Sequence, residues 1–203
     1  MVSAVQEEKA SLRERLLAAR SALPAEQRRE AGRAIRDTLL SRPELEMAGT
    51  VAAYYSVGAE PDTRALVFAL WKRGTYVLLP VLQPDGDLDW ASYEGPDSLV
   101  AGPRGLLEPG ESRRGPDGVT RADVVLTPAL AVDGAGRRLG RGGGSYDRAL
   151  ARVGPLIPVI ALLYDDELLD RVPVGPHDVP VRAAVRPGPG ISWLGAGTTG
   201  RSA

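Results

Sequence analysis

With 203 residues, 43 % of them hydrophobic and 25 % charged, the chain can bury one real core and is marginal for two. A formal net charge of −1 argues against a bulk electrostatic grip on nucleic acid, and zero cysteines exclude disulfides and zinc–thiolate sites. Residues 1–9 carry no apolar leader core and no run approaches membrane-spanning length, so the expectation is a cytoplasmic protein with no nucleic-acid partner and no membrane partner.

Leu12, Leu16, Leu17 and Ala19 recur at helical spacing across residues 7–22, and Ser21-Ala22-Leu23-Pro24 ends that helix. Ala31, Ile35, Leu39 and Leu40 predict a second amphipathic helix that stops near Pro43. Residues 51–55 are a short apolar run with strand character. Asp62 can cap a helix carrying Leu66, Leu70 and Trp71 on one face, and Gly74 ends it. Residues 75–81 read as a buried strand. After the Pro84-Asp85-Gly86 turn, residues 88–93 alternate loosely and predict a more exposed one. Residues 94–120 are rich in glycine, proline and charge, which predicts a long functional loop with at most one short helix. Residues 123–127 form a strand closed by Pro128, and residues 145–152 a helix. Residues 157–164 are the longest apolar run and read as a central strand. A helical turn over 165–170 and an edge strand over 181–185 follow.

Strands alternating with helices predict an α/β fold, a single-domain three-layer α/β sandwich with a mostly parallel sheet and two N-terminal helices. Its expected span is residues 1–186, with a flexible C-terminal tail over 187–203 that is rich in Gly, Pro, Ser and Thr. Ligands of such sheets gather beyond the carboxyl ends of the strands. The segments after Tyr55, Val81 and Thr127 lie at such ends.

The most informative segment is Arg138-Leu139-Gly140-Arg141-Gly142-Gly143-Gly144-Ser145-Tyr146-Asp147-Arg148. Glycines let the backbone approach a ligand closely, bare N–H groups at a helix start favour an anion, and arginine forks match phosphate oxygens. The segment reads as a phosphate cradle, with a plain glycine-rich connector as the other reading. It is not a Walker loop, because Lys-Ser/Thr does not follow the glycines. Nor is it a dinucleotide fingerprint, since Ser145 occupies the third glycine position and the preceding strand ends far upstream at Thr127. Lys9 and Arg13 share one helix face and can reach a nucleotide, or simply belong to a solvated face with Glu7, Glu8, Glu14 and Arg15. Glu60, ahead of Asp62, offers a carboxylate for an amide-like N–H of a heterocycle, or is ordinary loop acidity. Asp147 complements a helix dipole or holds Mg²⁺, with Asp178 as a second oxygen ligand. His177 is the only histidine, so neither a Ser–His–Asp arrangement nor a histidine metal cluster is available. Chemistry must rest on bound phosphate, metal and positioning.

These pieces, in this order, resemble the 5-formyltetrahydrofolate cyclo-ligase family from about Lys9 to Val185. The most specific part is Leu126-Thr127-Pro128-Ala129-Leu130-Ala131-Val132-Asp133 followed by the segment from Gly136 to Arg148, set against the family's Pro-Gly-Leu-Ala-Phe-Asp and Arg-Leu-Gly-…-Gly-Tyr-Tyr-Asp. Lys9 to Arg13 fits its Lys-x-x-x-Arg, Glu60-Pro61-Asp62-Thr63 its Glu-x-Asp-Thr, and Gly105 to Pro109 its Gly-Ile-x-Glu-Pro. Ser145 stands where the family usually has the first tyrosine, which removes an aromatic wall. Arg182 stands where an aspartate is frequent.

The resemblance implies an ATP- and Mg²⁺-dependent cyclisation of 5-formyltetrahydrofolate to 5,10-methenyltetrahydrofolate. The partners it implies are ATP and a reduced folate. It implies that Lys9, Arg13, Arg138, Leu139, Gly140, Arg141, Gly142, Gly143, Gly144, Ser145 and Tyr146 hold ATP. It implies a folate site at Tyr55, Glu60 and the segment from Arg141 to Ser145, Mg²⁺ on Asp147 and Asp178, and Arg141 as the group acting on the transferring phosphoryl. An ATP-binding paralogue with another substrate and a non-catalytic nucleotide- or RNA-binding module are the competing readings.

Overall fold

The structure, a computed structural model, describes residues 4–195. Helices α1 (Ala4–Ala22) and α2 (Ala25–Leu40) are followed by the short α3 (Pro43–Glu46). Strand β1 (Thr50–Ala52) leads through α4 (Arg64–Lys72) into β2 (Tyr76–Leu82), and β3 (Leu88–Ser92) turns back on it. A small hairpin follows, β4 (Leu99–Ala101) with β5 (Leu107–Pro109). Then come β6 (Val124–Pro128), the short β7 (Ala131–Asp133) and β8 (Arg138–Leu139), α5 (Ser145–Ala151) and β9 (Val159–Leu162). The described chain ends with β10 (Leu168–Leu169), β11 (Ala183–Arg186) and β12 (Gly190–Trp193).

Among the described residues the main sheet has seven strands in the order β12-β11-β9-β6-β1-β2-β3. The five from β11 to β2 run parallel, and β12 and β3 close the edges antiparallel. Side chains alternate across such strands, so each face needs its own cover. On one face Ile35, Leu39, Leu66 and Leu70 of α2 and α4 pack on Val51, Val77, Leu126 and Leu162. On the other, Ala149 and Leu150 of α5 pack with Trp90 and Val119 on Leu78, Val125 and Ala161. The result is the three-layer α/β sandwich expected from the sequence.

α1 takes a different seat. Leu16 joins Leu130, Ala131, Leu139 and Val172 on the second, three-stranded sheet β10-β7-β8. The chain leaves β1 toward β2 on one side and returns as β6 on the other side of β1. The strand order therefore reverses at β1, and the segments leaving β1 and β6 diverge and open a crevice. α1 borders that crevice because its small sheet hangs from the end of β6.

Several elements differ from the sequence expectation. The strand over 88–93 is buried, not exposed: Leu88 and Trp90 pack with Val119 of the 3₁₀ segment Pro116–Arg121, Ala91 is also buried, and the Arg114 backbone N–H donates to the Trp90 carbonyl at 2.9 Å. The 94–120 stretch is ordered by the β4–β5 hairpin and three short 3₁₀ turns, because paired backbone satisfies groups that a bare loop would leave to water. The strand expected at 181–185 begins at Ala183 and is interior, since β12 pairs along its outer side. The tail expected over 187–203 therefore starts with sheet: residues 190–193 carry four register pairs with β11. The end of that expected tail, 196–203, lies outside the described residues. Only the first half of the turn over 165–170 is helical, the 3₁₀ segment Asp165–Glu167.

Candidate functional site

Beyond the carboxyl ends of β1, β2 and β6 lies a cleft of about 950 Å³. Its walls come from the β1–α4 segment, the β4–β5 hairpin, α1 and the glycine segment after β8. Every site residue expected from the sequence lines it: Lys9, Arg13, Tyr55, Glu60, the whole of Arg138 to Asp147, and Asp178. His177 lines it as well.

The glycine segment owes its shape to two residues. Gly142 has φ +102° and Gly144 has φ +69°, a region where a Cβ is strained. Gly144 stands at the start of α5, so the chain turns there from an open loop into the helix. Among the described residues the N–H groups of Gly142, Gly143 and Gly144 find no protein acceptor. They are free for a ligand's oxygens.

α1 supplies cations to this segment. Arg13 donates through Nε to the Gly140 carbonyl at 2.9 Å. Lys9 is 4 % exposed, and its ammonium bonds Asp178 Oδ2. The solvated-face reading of this helix surface is thus excluded for Lys9. The buried set Lys9, Leu16 and Arg20 defines the inward face of α1, with Arg20 as its anchor. Arg20 Nε meets Glu167 Oε1 at 2.6 Å, Nη2 meets Oε2 at 2.8 Å, and Nη2 also reaches the Ala129 carbonyl at 2.5 Å. Glu167 returns a bond from the Tyr164 N–H at 2.8 Å. One fork thus ties α1 to the ends of both β6 and β9.

Arg138 does not sit as a free phosphate fork. Its side chain is 2 % exposed, and Nη2 donates to Asp147 Oδ1 at 2.7 Å while Nη1 reaches the Pro128 carbonyl at 3.3 Å. Strand alternation turns it inward from β8, where it fixes Asp147. Leu139 is buried in the α1 cluster and offers the cleft its backbone side. Arg141 is half exposed, with Nε 3.4 Å from Glu60 Oε1.

Glu60 is 8 % exposed at its side chain, and its Oε2 accepts from the Val57 N–H at 3.0 Å. Burial pushes its carboxyl above the ordinary carboxylate value, although the Val57 N–H, Arg141 and Arg20 pull the other way. Asp147 Oδ1 also accepts from the Val179 N–H at 3.2 Å, so Asp147 and the Asp178-Val179 step are tied together. Asp178 accepts from the Gly175 N–H at 2.7 Å. Burial opposes its ionisation, but Lys9, that N–H and Arg138 outweigh burial and hold its carboxyl below the usual range.

Three participants were not among the site residues expected from the sequence. Arg20 lies four residues past Leu16 on the same stripe as Lys9, a spacing that marks it as inward. Glu108 is 5 % exposed, and its Oε1 accepts from the Leu82 N–H at 2.9 Å, pinning the hairpin to the end of β2. Tyr54 lines the cleft beside Glu60. No local pattern separates it from its neighbour Tyr55.

The sequence profile of the 5-formyltetrahydrofolate cyclo-ligase family matches residues 5–187. A 5-formyltetrahydrofolate cyclo-ligase of Mycolicibacterium smegmatis is 42 % identical over 192 residues, covering 92 % of this chain and 97 % of the relative. One from Escherichia coli is 35 % identical over 181 residues, covering 86 % and 97 %. The solution structure of Aquifex aeolicus 5,10-methenyltetrahydrofolate synthetase superposes with a TM-score of 0.80 at 30 % identity, covering 96 % of this chain and 95 % of that one.

Proposed function

The chain belongs to the 5-formyltetrahydrofolate cyclo-ligase family, and from that premise we propose how its residues conduct the reaction. The activity is the ATP-dependent cyclisation of 5-formyltetrahydrofolate to 5,10-methenyltetrahydrofolate, with release of ADP and phosphate. The formyl oxygen attacks the γ-phosphorus and ADP departs. N10 of the same folate then attacks the activated formyl carbon, the ring closes, and phosphate leaves. The nucleophiles belong to the substrates, so the protein's tasks are alignment and charge neutralisation.

The free N–H groups of Gly142 to Gly144 cradle the phosphates, with Lys9 and Arg13 closing the cradle from α1. Arg141 leaves Glu60 and stabilises charge on the transferring phosphoryl. Glu60, once released, accepts from the donor edge of the pterin, and Tyr55 lines the ring. Ser145 leaves room at the start of α5 where a tyrosine would fill the wall. Arg138 and Leu139 support the nucleotide from beneath the segment.

The donor set fits magnesium. Among the described residues no three acidic or histidine side chains gather as a ready metal cage. Mg²⁺ instead takes one or two carboxylates with phosphate oxygens and water. Asp147 and Asp178 would hold it, each having committed one oxygen to protein partners. Bound there, it would neutralise phosphate charge. Lys9 helps keep Asp178 ionised, and Arg138 orients Asp147.

The observation that carries this reading is that Arg13 bonds the glycine segment across 127 residues of sequence while Lys9 bonds Asp178 across 169, both in the cleft that Glu60 lines. The test is the absorbance of methenyltetrahydrofolate after mixing protein, 5-formyltetrahydrofolate, ATP and Mg²⁺. It should rise, and fail to rise when Mg²⁺ is omitted. Arg141→Ala should lower turnover by about two orders of magnitude, the scale of losing one transition-state donor. No product with ATP still bound would favour a paralogue with another substrate, and an unchanged Arg141→Ala rate would remove the role given to that residue.

A further inference from the structure

Six arginines line the cleft, and five of them are engaged by the protein. Arg13 bonds the Gly140 carbonyl, Arg20 bonds Glu167, Arg138 bonds Asp147, Arg141 pairs with Glu60, and Arg148 donates to the Gly86 carbonyl at 2.6 Å. Arg104 is the sixth. It sits in the turn between β4 and β5, is exposed, and has no hydrogen-bond, ion-pair or ring partner among the described residues.

Its backbone is as unusual as its side chain. With φ +56° and ψ +25° it is the one residue other than glycine with positive φ among the described residues. Glycine takes that conformation freely, whereas a residue with a Cβ is strained there. Such strain persists where the surrounding structure imposes it, and it gathers at ligand clamps. The Gly102 N–H donates to the Leu106 carbonyl at 2.9 Å and the Leu106 N–H to the Pro103 carbonyl at 3.0 Å, which closes the turn around Arg104. Glu108 ties the hairpin to the end of β2, and a Cβ on Gly102 would lie 2.6 Å from the Glu108 carboxyl carbon. A firm turn thus holds a free guanidinium at the cleft, at a position where glycine would be less strained.

The same lining includes Leu82, Leu88, Leu106 and Leu107, an apolar surface suited to the flat aminobenzoyl ring of a folate. In the reading above, the triphosphate takes the glycine N–H groups with Arg13 and Arg141, and the pterin takes Glu60. The remaining charge of the folate lies on the carboxylates of its glutamate, and no cation has been assigned to them. Arg104 offers a planar fork, the shape that meets a carboxylate through two N–H groups. Resting on that folate reading, we propose that the β4–β5 hairpin is the subsite for the folate tail and that Arg104 binds a glutamate carboxylate there.

Arg104→Gly removes the guanidinium and the backbone strain together. The KM for 5-formyltetrahydrofolate should rise about fivefold, the upper end for an ion pair open to solvent. The KM for ATP and kcat should stay within about twofold, as for loss of a contact made equally before and during reaction. The melting temperature should be equal or higher, since glycine accepts the left-handed turn. Arg104→Lys should recover part of the loss, because a point charge replaces the fork. The decisive arm is the diamide of 5-formyltetrahydrofolate, whose glutamate carries no charge: parent and Arg104→Gly should have the same KM for it. An unchanged KM for the natural substrate in an active enzyme overturns the role of Arg104 and leaves the folate reading intact. An equal KM rise for the diamide, a rise shared by ATP, or a fall in melting temperature also overturns it, because the effect then does not pass through the carboxylate. Parent protein that makes no methenyl product overturns the folate reading itself.

Discussion

Arg20→Met tests whether the buried fork beneath the cleft holds α1 in place. The Arg20 and Glu167 side chains are 2 % and 6 % exposed, and three bonds of 2.5–2.8 Å join Arg20 to Glu167 and the Ala129 carbonyl. Methionine fills much of the volume but strands the carboxylate. Removing one partner of a buried pair costs about 3–5 kcal/mol. For a chain of this size each kcal/mol is worth roughly 2–4 °C, so the melting temperature should fall by roughly 6–20 °C. Glu167→Gln in the same background removes the stranded charge but still accepts the Tyr164 N–H, so the double variant should recover at least about 2 kcal/mol of the loss. Urea unfolding of the two single variants, the double and the parent measures both quantities. Well below its melting temperature, Arg20→Met should also raise the KM for ATP, because Lys9 and Arg13 ride on the loosened helix. A loss under about 1 kcal/mol, or a double variant no more stable than Arg20→Met, would refute the reasoning.

Two further outcomes are expected. The Glu60 carboxyl titrates higher when folded than unfolded, so the folded state binds its proton more readily, and the stability it lends at low pH is lost as pH rises through the elevated value. Glu60→Gln should therefore raise the melting temperature at neutral pH while raising the folate KM by about tenfold, the worth of a charged hydrogen bond. The parent's folate KM should climb as pH falls through that value, and a variant with the same pH profile would contradict the assignment. Ending the chain after Gly188 removes β12 and the partly buried Ile191, exposing the edge of β11. The melting temperature should drop by at least about 2 °C, given about 1–2 kcal/mol for that side chain; an unchanged value would mean that β12 adds nothing.

What was readable in advance follows from the range of the forces involved. The helices at 7–22 and near 31–40 announce themselves because an apolar stripe is a local pattern. The glycine segment was legible because its conformation needs residues without a Cβ, whatever lies around it. Partnership was harder to read. Arg138 looks like Arg141 in sequence, yet the one on β8 is buried against Asp147 and the other, in the loop beyond that strand, sits beside Glu60. Lys9 sits among charged neighbours, and only the distant Asp178 explains its burial. Residues 190–193 look like a tail because glycine and proline flank them. Their strand exists only because β11 offers an edge to pair with.

The bond between Lys9 and Asp178 spans 169 positions of chain, and that between Arg20 and Glu167 spans 147. Closing such long loops is slow, since their entropy is lost before the contact rewards it. During synthesis the first helix leaves the ribosome among the earliest segments and waits for its counterparts until almost the entire polypeptide has emerged. A fragment that ends before Glu167 lacks both counterparts of the first helix and cannot assemble the nucleotide grip.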